Sequence, residues 1–171
     1  MKKMCFILIF VLLLLTACST SGDNMKLTDN AAMAENNLAN VIEAINQKDC
    51  KKLKALFSNN SIKDSDDIEN AIRNLFSYLE GEIKSYNWSD DMGGPIADTN
   101  YEQGEKNIEL KSWFDVITDE EKYVFFILYY PIDEFDEDNI GIYSLRVVKQ
   151  TDKDIHLTYW QDMKTPGIYL P

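Results

Sequence analysis

Residues that commonly bind metals or act as nucleophiles are few in this sequence. It contains one histidine, His156, and three cysteines, Cys5, Cys18 and Cys50. A structural zinc site needs about four such ligands, and a Cys–His nucleophile pair needs a histidine held beside the thiol. Cys5 and Cys18 fall within or directly behind an apolar leader, so we expect no disulfide framework. Cys50 is interpreted as a structural thiol and His156, in "IHLTYW", as a structural strand histidine, with no metal site and no cofactor.

The acidic segment "IDEFDEDNIG", residues 132–141, is a second candidate for metal chemistry. Calcium loops place oxygen ligands at alternate positions, a glycine at the sixth position and a closing glutamate. The segment lacks this spacing, so we interpret it as an acidic turn between two strands.

Aromatic residues are the remaining feature that could form a site. Trp88, Trp113 and Trp160 fall on three different candidate strands. Aromatic rings with polar groups line ligand pockets and protein interfaces, but they also fill sheets, and both interpretations stay open. The candidate pocket or interface residues are Trp88, Trp113, Tyr129, Tyr143, Trp160 and Asp162.

The chain begins with an apolar leader, which lies before the aromatic candidate residues. Lys2 and Lys3 are followed by an apolar run of about twelve residues, where a membrane-spanning helix needs roughly 20. A charged start, a short apolar run and a small residue before the cut indicate a secretory signal. The segment "LTAC", residues 15–18, resembles the bacterial lipobox, which implies cleavage before Cys18 and a diacylglyceryl anchor on its sulfur.

This leader predicts the organisation and the location of the chain. We expect a signal peptide over residues 1–17, a flexible tether over 18–30 and a single α+β domain over 31–171. The expected location is the extracytoplasmic face of the cell membrane, with the lipid on Cys18 as the membrane contact. A net charge of −12 argues against nucleic acid as a partner and against electrostatic adhesion to anionic lipid.

The first half of the domain has helical spacing of apolar residues. Leu38, Val41, Ile42 and Ile45 mark a helix that starts near Thr28 or Asp29. Asp49 can cap a short second helix, and "SNNSIKDSDD" is expected to be a loop. A third helix, over residues 68–79, follows Asp66 and Glu69, which have the form of a capping box.

The second half has the spacing of strands. Residues 108–116 alternate between apolar and polar side chains, as in a half-buried strand. The segment "KYVFFILYY", residues 122–130, is apolar on both faces, with Phe125 on one and Phe126 on the other. We therefore predict that this strand is central, with one face against the helices and the other against Trp88, Trp113 and Trp160 or a second copy of the chain.

This order of elements resembles a known fold. Three helices, with a short one around "NQKDCKKLKALFS", and a curved antiparallel β-sheet are similar to the cystatin-like cone shared with nuclear transport factor 2 and ketosteroid isomerase. The segments "DDMGGP", "KSWFDVIT" and "YWQDMKTPGIYLP" resemble a family of Gram-positive lipoproteins catalogued as a domain of unknown function. The resemblance implies an α+β fold with three N-terminal helices packed on the sheet, and it supplies no catalytic residues.

The resemblance to the cone raises the question of catalysis. Enzymes of this fold use a carboxylate base with a phenol or a protonated acid inside the pocket. Glu109 and Asp115 lie opposite Phe114 in the alternation, so we interpret them as parts of a solvent-facing surface. The groups of the right chemical type are Glu109, Asp115, Tyr129, Tyr143 and Asp162.

Two functional hypotheses follow. The leading one is a lipid-anchored, non-enzymatic module that binds a protein or a small ligand, with a homodimer through the sheet as one form of interaction. The alternative is a small-molecule enzyme or carrier that uses an Asp/Tyr pair in the cone cavity. A buried acid paired with a phenol in a cavity would favour the alternative, whereas a filled cone and an apolar outer sheet face would favour the binding module.

Overall fold

Helices come first along the chain and a sheet follows. The computed structural model describes residues 21–91, 93–157 and 164–171. Within these residues, the helices before the sheet are α1 (Ser21–Asn46), α2 (Cys50–Lys54), α3 (Asn59–Asp64) and α4 (Ile68–Tyr78). The strands of the six-stranded sheet are β1 (Ile83–Trp88), β2 (Ile96–Glu102), β3 (Glu105–Thr118), β4 (Lys122–Asp133), β5 (Gly141–Lys149) and β6 (Gly167–Tyr169). This arrangement confirms the predicted α+β class.

The first two helices differ in how closely they follow the sequence pattern. α1 begins at Ser21, earlier than the expected start near Thr28 or Asp29, so residues 21–30 of the expected tether are helical. A nucleated helix gains one hydrogen bond for each residue added, so it can extend through a segment without apolar periodicity. α2 begins as predicted, because Asp49 accepts a hydrogen bond from the backbone N–H of Lys52. In the described ranges no helix combines the length and the apolar character that a bilayer crossing requires.

The next two helices correct two expectations. α3 lies in the segment expected to be a loop, and it forms because the Ser58 hydroxyl caps the backbone N–H of Ser61. The described chain therefore has four helices before the sheet where we predicted three. α4 is capped by Asp67, which accepts from the backbone N–H of Asn70, and not by Asp66 of the predicted capping box.

The sheet is mostly antiparallel, with the order β1-β3-β4-β5-β6, and β2 also pairs with β3. The long strand β3 pairs with β2 through residues 105–111 and with β1 through residues 114–118. β1 and β2 therefore follow one another along the same edge of β3. β4 lies between β3 and β5, as predicted for the strand that is apolar on both faces.

The two faces of β4 pack against different parts of the protein. The helix-side face carries Phe125 and Ile127, which are buried in one cluster with the apolar residues of the helices. The second face carries Phe126 and Leu128, which form a separate cluster with Trp113 of β3. Both faces are covered, as the sequence predicted, because side chains alternate strictly along the strand.

Short turns connect the last strands. A 3₁₀ turn (Glu137–Asn139) joins β4 to β5, and a second one (Gln150–Asp152) follows β5. The helix α5 (Lys153–His156) comes next. His156 is therefore helical, and its predicted place on a strand is wrong, since alternation over a few residues does not distinguish a strand from one helical turn.

The chain after β5 covers part of the second face. β6 pairs with β5 in parallel, with Gly167 opposite Ser144. Before β6, Leu157 packs on the second-face cluster. The Lys164 Nζ lies 3.2 Å from Glu109 Oε2 on β3. Leu157 and Lys164 therefore both contact the second face.

Candidate functional site

The two tryptophans of the predicted aromatic group that the structure describes lie on opposite faces of the sheet. Trp113 is buried on the second face, with its ring centroid 4.9 Å from that of Phe126. Trp88 packs on Phe114 at 4.3 Å on the helix-side face, and its indole N–H donates to Glu35 of α1 at 2.8 Å. Because Trp88 pairs directly with Phe114 in the register of β1 and β3, it does not join Trp113 as we predicted.

The two predicted tyrosines are divided in the same way. Tyr129 packs half-buried against the helix-side cluster. Tyr143 packs against the second-face cluster, where its ring meets Tyr130 edge-to-face at 6.1 Å. Burial raises the pKa of both Tyr129 and Tyr143, so both phenols keep their protons at neutral pH. The remaining predicted site residues, Cys18, Trp160 and Asp162, lie outside the described residues.

Glu109 is buried, and its predicted place on a solvent-facing surface is wrong. Its Oε2 accepts a hydrogen bond from the Tyr130 hydroxyl at 2.6 Å. The Lys111 Nζ lies 2.6 Å from the other carboxylate oxygen, and the Lys164 Nζ completes the group. The lysine two residues after Glu109 on the same face was a signal for this ion pair in the sequence. We call Glu109, Lys111, Tyr130 and Lys164 the Glu109 cluster.

The Glu109 cluster holds an acid beside a phenol, but in protonation states that oppose proton transfer. Burial raises the pKa of Glu109, yet the hydrogen bonds from Lys111 and Tyr130 outweigh burial and leave this pKa below its usual value. Burial and the neighbouring Glu109 carboxylate raise the pKa of Tyr130. A general base works best when its pKa is near the working pH, so an ionised, doubly ion-paired Glu109 is a weak base. The cluster is suited to anchoring Lys164 beside β3.

Asp115 has a different environment from Glu109. Among the described residues its side chain forms no ion pair or hydrogen bond, and its Oδ1 is buried without a donor. The Oε1 of Gln150 is also buried without a donor. Both residues line one cleft of about 370 Å³, together with Asn87, Asp90 and Lys122. Trp88, Val116 and Tyr123, which belong to or pack on the helix-side cluster, border the same cleft. Nothing in the sequence pattern singled out Gln150, because it follows the last residue of β5.

A second, smaller cleft adjoins the first. It has a volume of about 180 Å³, and its apolar lining comes from Trp113, Val124 and Leu157. Val124 pairs with Asp115 across β3 and β4, so the two clefts adjoin where these two residues meet on the second face. We call them together the two-part cleft. The polar lining of the smaller part of this cleft comes from Ser89, Asp91, Lys153 and Asp154.

Among the described residues, only some of the charged groups around the two-part cleft form ion pairs. Lys153 forms an ion pair with Asp91, and that hydrogen bond raises the pKa of Lys153. The negative charge of Asp115 also raises the pKa of Lys153, although the two side chains do not form an ion pair. Asp90 and Lys122 are both exposed at the larger part. Asp115 is therefore a carboxylate with an unsatisfied oxygen inside a cleft where Lys153 is already paired with Asp91 and Lys122 is exposed.

The acidic turn before β5 uses its carboxylates to shape the backbone. Asp133 is buried, and its oxygens accept from the backbone N–H groups of Phe135 and Asp136 and from the Asn139 amide, each at 3.1 Å. These hydrogen bonds stabilise the turn, because an aspartate side chain can bond to backbone N–H groups a few residues further along the chain. Within the described ranges, no group of three or more His, Cys, Asp or Glu side chains is placed to hold a metal ion.

Comparison with protein families identifies a match. The sequence model of a family described as a domain of unknown function, DUF5104, matches residues 40–150. The match extends from within α1 to Gln150, so it includes Glu109, Asp115 and Gln150 and stops before α5. No curated protein matches the chain.

Proposed function

Because the chain belongs to the DUF5104 family, whose description assigns no activity, we propose a function from the geometry of the second face. The protein is a lipid-anchored, extracytoplasmic module that binds a small ligand in the two-part cleft without transforming it. The observation that carries this proposal is the pair of buried acceptors, Asp115 Oδ1 and Gln150 Oε1, in one cleft. A buried polar group without a partner is destabilising, so natural proteins keep few of them outside functional sites.

The interior between the helices and the sheet supports a binding role over catalysis inside the cone. Large side chains fill it: Phe114, Tyr123 and Phe125 of the sheet are fully buried against Leu38 and Ile72 of the helices. The acid–phenol pair that would favour an enzyme lies instead on the second face, in the Glu109 cluster, where the acid is a weak base. The alternative of an enzyme or carrier working from the cone interior therefore has less support.

The proposal includes the membrane anchor and the finer fold. Cys18 of the lipobox-like segment would carry the lipid, and α1 begins at Ser21, close behind it. We assign the α+β fold to the cystatin-like, nuclear transport factor 2-like cone of Gram-positive lipoproteins. Register shifts between Ile108 and Leu110 and between Leu128 and Tyr129 support this, because irregularities of this kind bend long strands.

A fragment screen by NMR tests the binding role. The full chain, in detergent micelles, is mixed with a library of small fragments, and backbone amide shifts locate each fragment that binds. We expect fragments to perturb residues 113–117 and 150–157, and Gln150→Ala to weaken them. Gln47→Ala, an exposed glutamine in the turn after α1, is the matched control and should leave binding unchanged. Fragments that bind only elsewhere, or none that bind at all, would overturn the proposal.

A further inference from the structure

We propose that the ligand of the two-part cleft is a small organic amine, bound in its protonated form with a short apolar chain beside Trp113. This inference rests on the proposed function and specifies the chemical class of the ligand. Three features of the cleft lead to it: the type of its unsatisfied atoms, its charge and its apolar part.

The unsatisfied atoms of the larger part are all acceptors. A carboxylate oxygen has no proton to donate at neutral pH, and the oxygen of a side-chain amide is also only an acceptor. Asp115 Oδ1 and Gln150 Oε1 therefore both need a donor from outside the described protein. A ligand that carries several N–H groups on one atom satisfies both, whereas a carboxylate or phosphate ligand would place acceptor against acceptor.

The charge of the larger part favours a cationic donor. The Asp115 carboxylate has no ion-pair partner among the described residues, and Asp90 adds a second negative charge at the same cleft. Lys153 is paired with Asp91, and Lys122 is exposed at the rim. An ammonium group gains the attraction between opposite charges in addition to its hydrogen bonds with the carboxylate, whereas a hydroxyl group gains only the hydrogen bond.

The apolar lining of the smaller part indicates the chemistry of the other end of the ligand, the chain attached to the amine. Trp113, Val124 and Leu157 form an apolar lining beside Asp115, so an alkyl or aromatic chain attached to the amine would be removed from water there. The larger part, at about 370 Å³, lies near the lower end of the range of ligand sites and the smaller part, at about 180 Å³, lies below it, which indicates a ligand of few atoms. A bare divalent cation would leave this apolar lining unused.

Three probes with the same four-carbon chain separate charge from donor capacity. Butylamine carries a positive charge and N–H donors, butyltrimethylammonium carries the charge without donors, and butanol has one donor without charge. The full chain in detergent micelles is titrated with each probe, and the indole N–H of Trp113 and the side-chain amide of Gln150 are followed by NMR. We expect butylamine to bind at least about tenfold more tightly than either of the other probes.

Two variants test whether butylamine binds at Asp115, and both are chosen so that the protein still folds. Asp115→Asn removes the charge without breaking any hydrogen bond of the described structure, so the variant should fold, and it should weaken butylamine about tenfold or more. Asp66→Asn, at an exposed loop position, makes the same chemical change away from the cleft and should leave binding unchanged. Loss of butylamine binding in Asp115→Asn alone supports the proposal.

The other outcomes each overturn a defined part. If butanol binds as tightly as butylamine at these resonances, the ligand class is wrong while the cleft still binds small molecules. Tighter binding of Ca²⁺ than of butylamine at Asp115 would also refute the amine. If no probe moves the Trp113 or Gln150 signals while fragments do, the amine is wrong and the binding role stands. If neither probes nor fragments bind there, both proposals fail.

Discussion

Replacement of Glu109 by glutamine is the sharpest test of how the second face is held together. The Glu109 side chain is 10% exposed and that of Lys111 is 14% exposed, so solvent screens their 2.6 Å contact only weakly. Removing one partner of a buried ion pair typically costs about 3–5 kcal/mol. Lys111 keeps a contact with Asp98, which is largely exposed, so we expect a loss near the lower end, about 3 kcal/mol.

The loss is measured by urea unfolding and by thermal melting. For a domain of this size, about 3 kcal/mol corresponds to a fall in Tm of roughly 6–12 °C. Tyr130→Phe removes one hydrogen bond to the same carboxylate and should cost less, about 1.5–3 kcal/mol. Glu102→Gln, an exposed glutamate of β2, is the matched control and should stay within about 0.5 kcal/mol of the wild type.

The pH dependence of the difference between wild type and Glu109→Gln gives an independent check. The folded-state pKa of Glu109 is lowered, so its contribution is fully present above the unfolded pKa of about 4.3. It is lost as the pH falls through the folded pKa, because the protonated acid no longer pairs with Lys111. We expect a constant difference from neutral pH down to about pH 5 and a shrinking one below it. A difference near zero at neutral pH, or one that grows on acidification, would refute this account of the cluster.

Further predictions concern the core, a turn and the anchor. Phe125→Ala and Phe126→Ala should each cost about 3–5 kcal/mol in urea unfolding, since both rings are buried on opposite faces of β4; Tm values within a couple of degrees of wild type would contradict this. Gly141→Ala should cost about 2 kcal/mol or more in the same assay, because its φ of 126° is positive and a Cβ would lie 2.8 Å from the Ser58 nitrogen. Cys18→Ser should release the protein from the membrane fraction or leave it unprocessed. Fatty-acid labelling that persists in the variant would contradict a lipid anchor on Cys18.

The strands could be predicted from the sequence to a greater extent than the helices. Alternation along residues 122–130 assigned Phe125 and Phe126 to opposite faces and placed the strand at the centre, because the side-chain period of two is a local property. α3 could not be predicted in this way, since its segment is polar and lacks an apolar stripe. Its buried Ser61 hydroxyl donates to the backbone oxygen of Tyr143, a contact across the fold that holds the helix in place.

The site was less predictable than the fold for a related reason. Glu109 is buried because Tyr130 and Lys164, which lie 21 and 55 residues away in sequence, both reach its carboxylate. Spacing along one strand gives the face of a residue but not what covers that face. The same limit applies to the cleft, since Asp115 and Gln150 come together only through the pairing of β3, β4 and β5.

The parallel pairing of β6 also sets the order in which a newly made chain can finish folding. β2, β3, β4 and β5 pair as successive neighbours and need no later residue, but residues 144–146 of β5 keep an open edge until β6 has been synthesised. Until Leu157 has been made, Trp113, Phe126 and Leu128 also lack the cover that it contributes. An open strand edge beside an exposed apolar face promotes association between chains. A ribosome stalled after β5, or a protease cutting there, would therefore leave a product prone to aggregate.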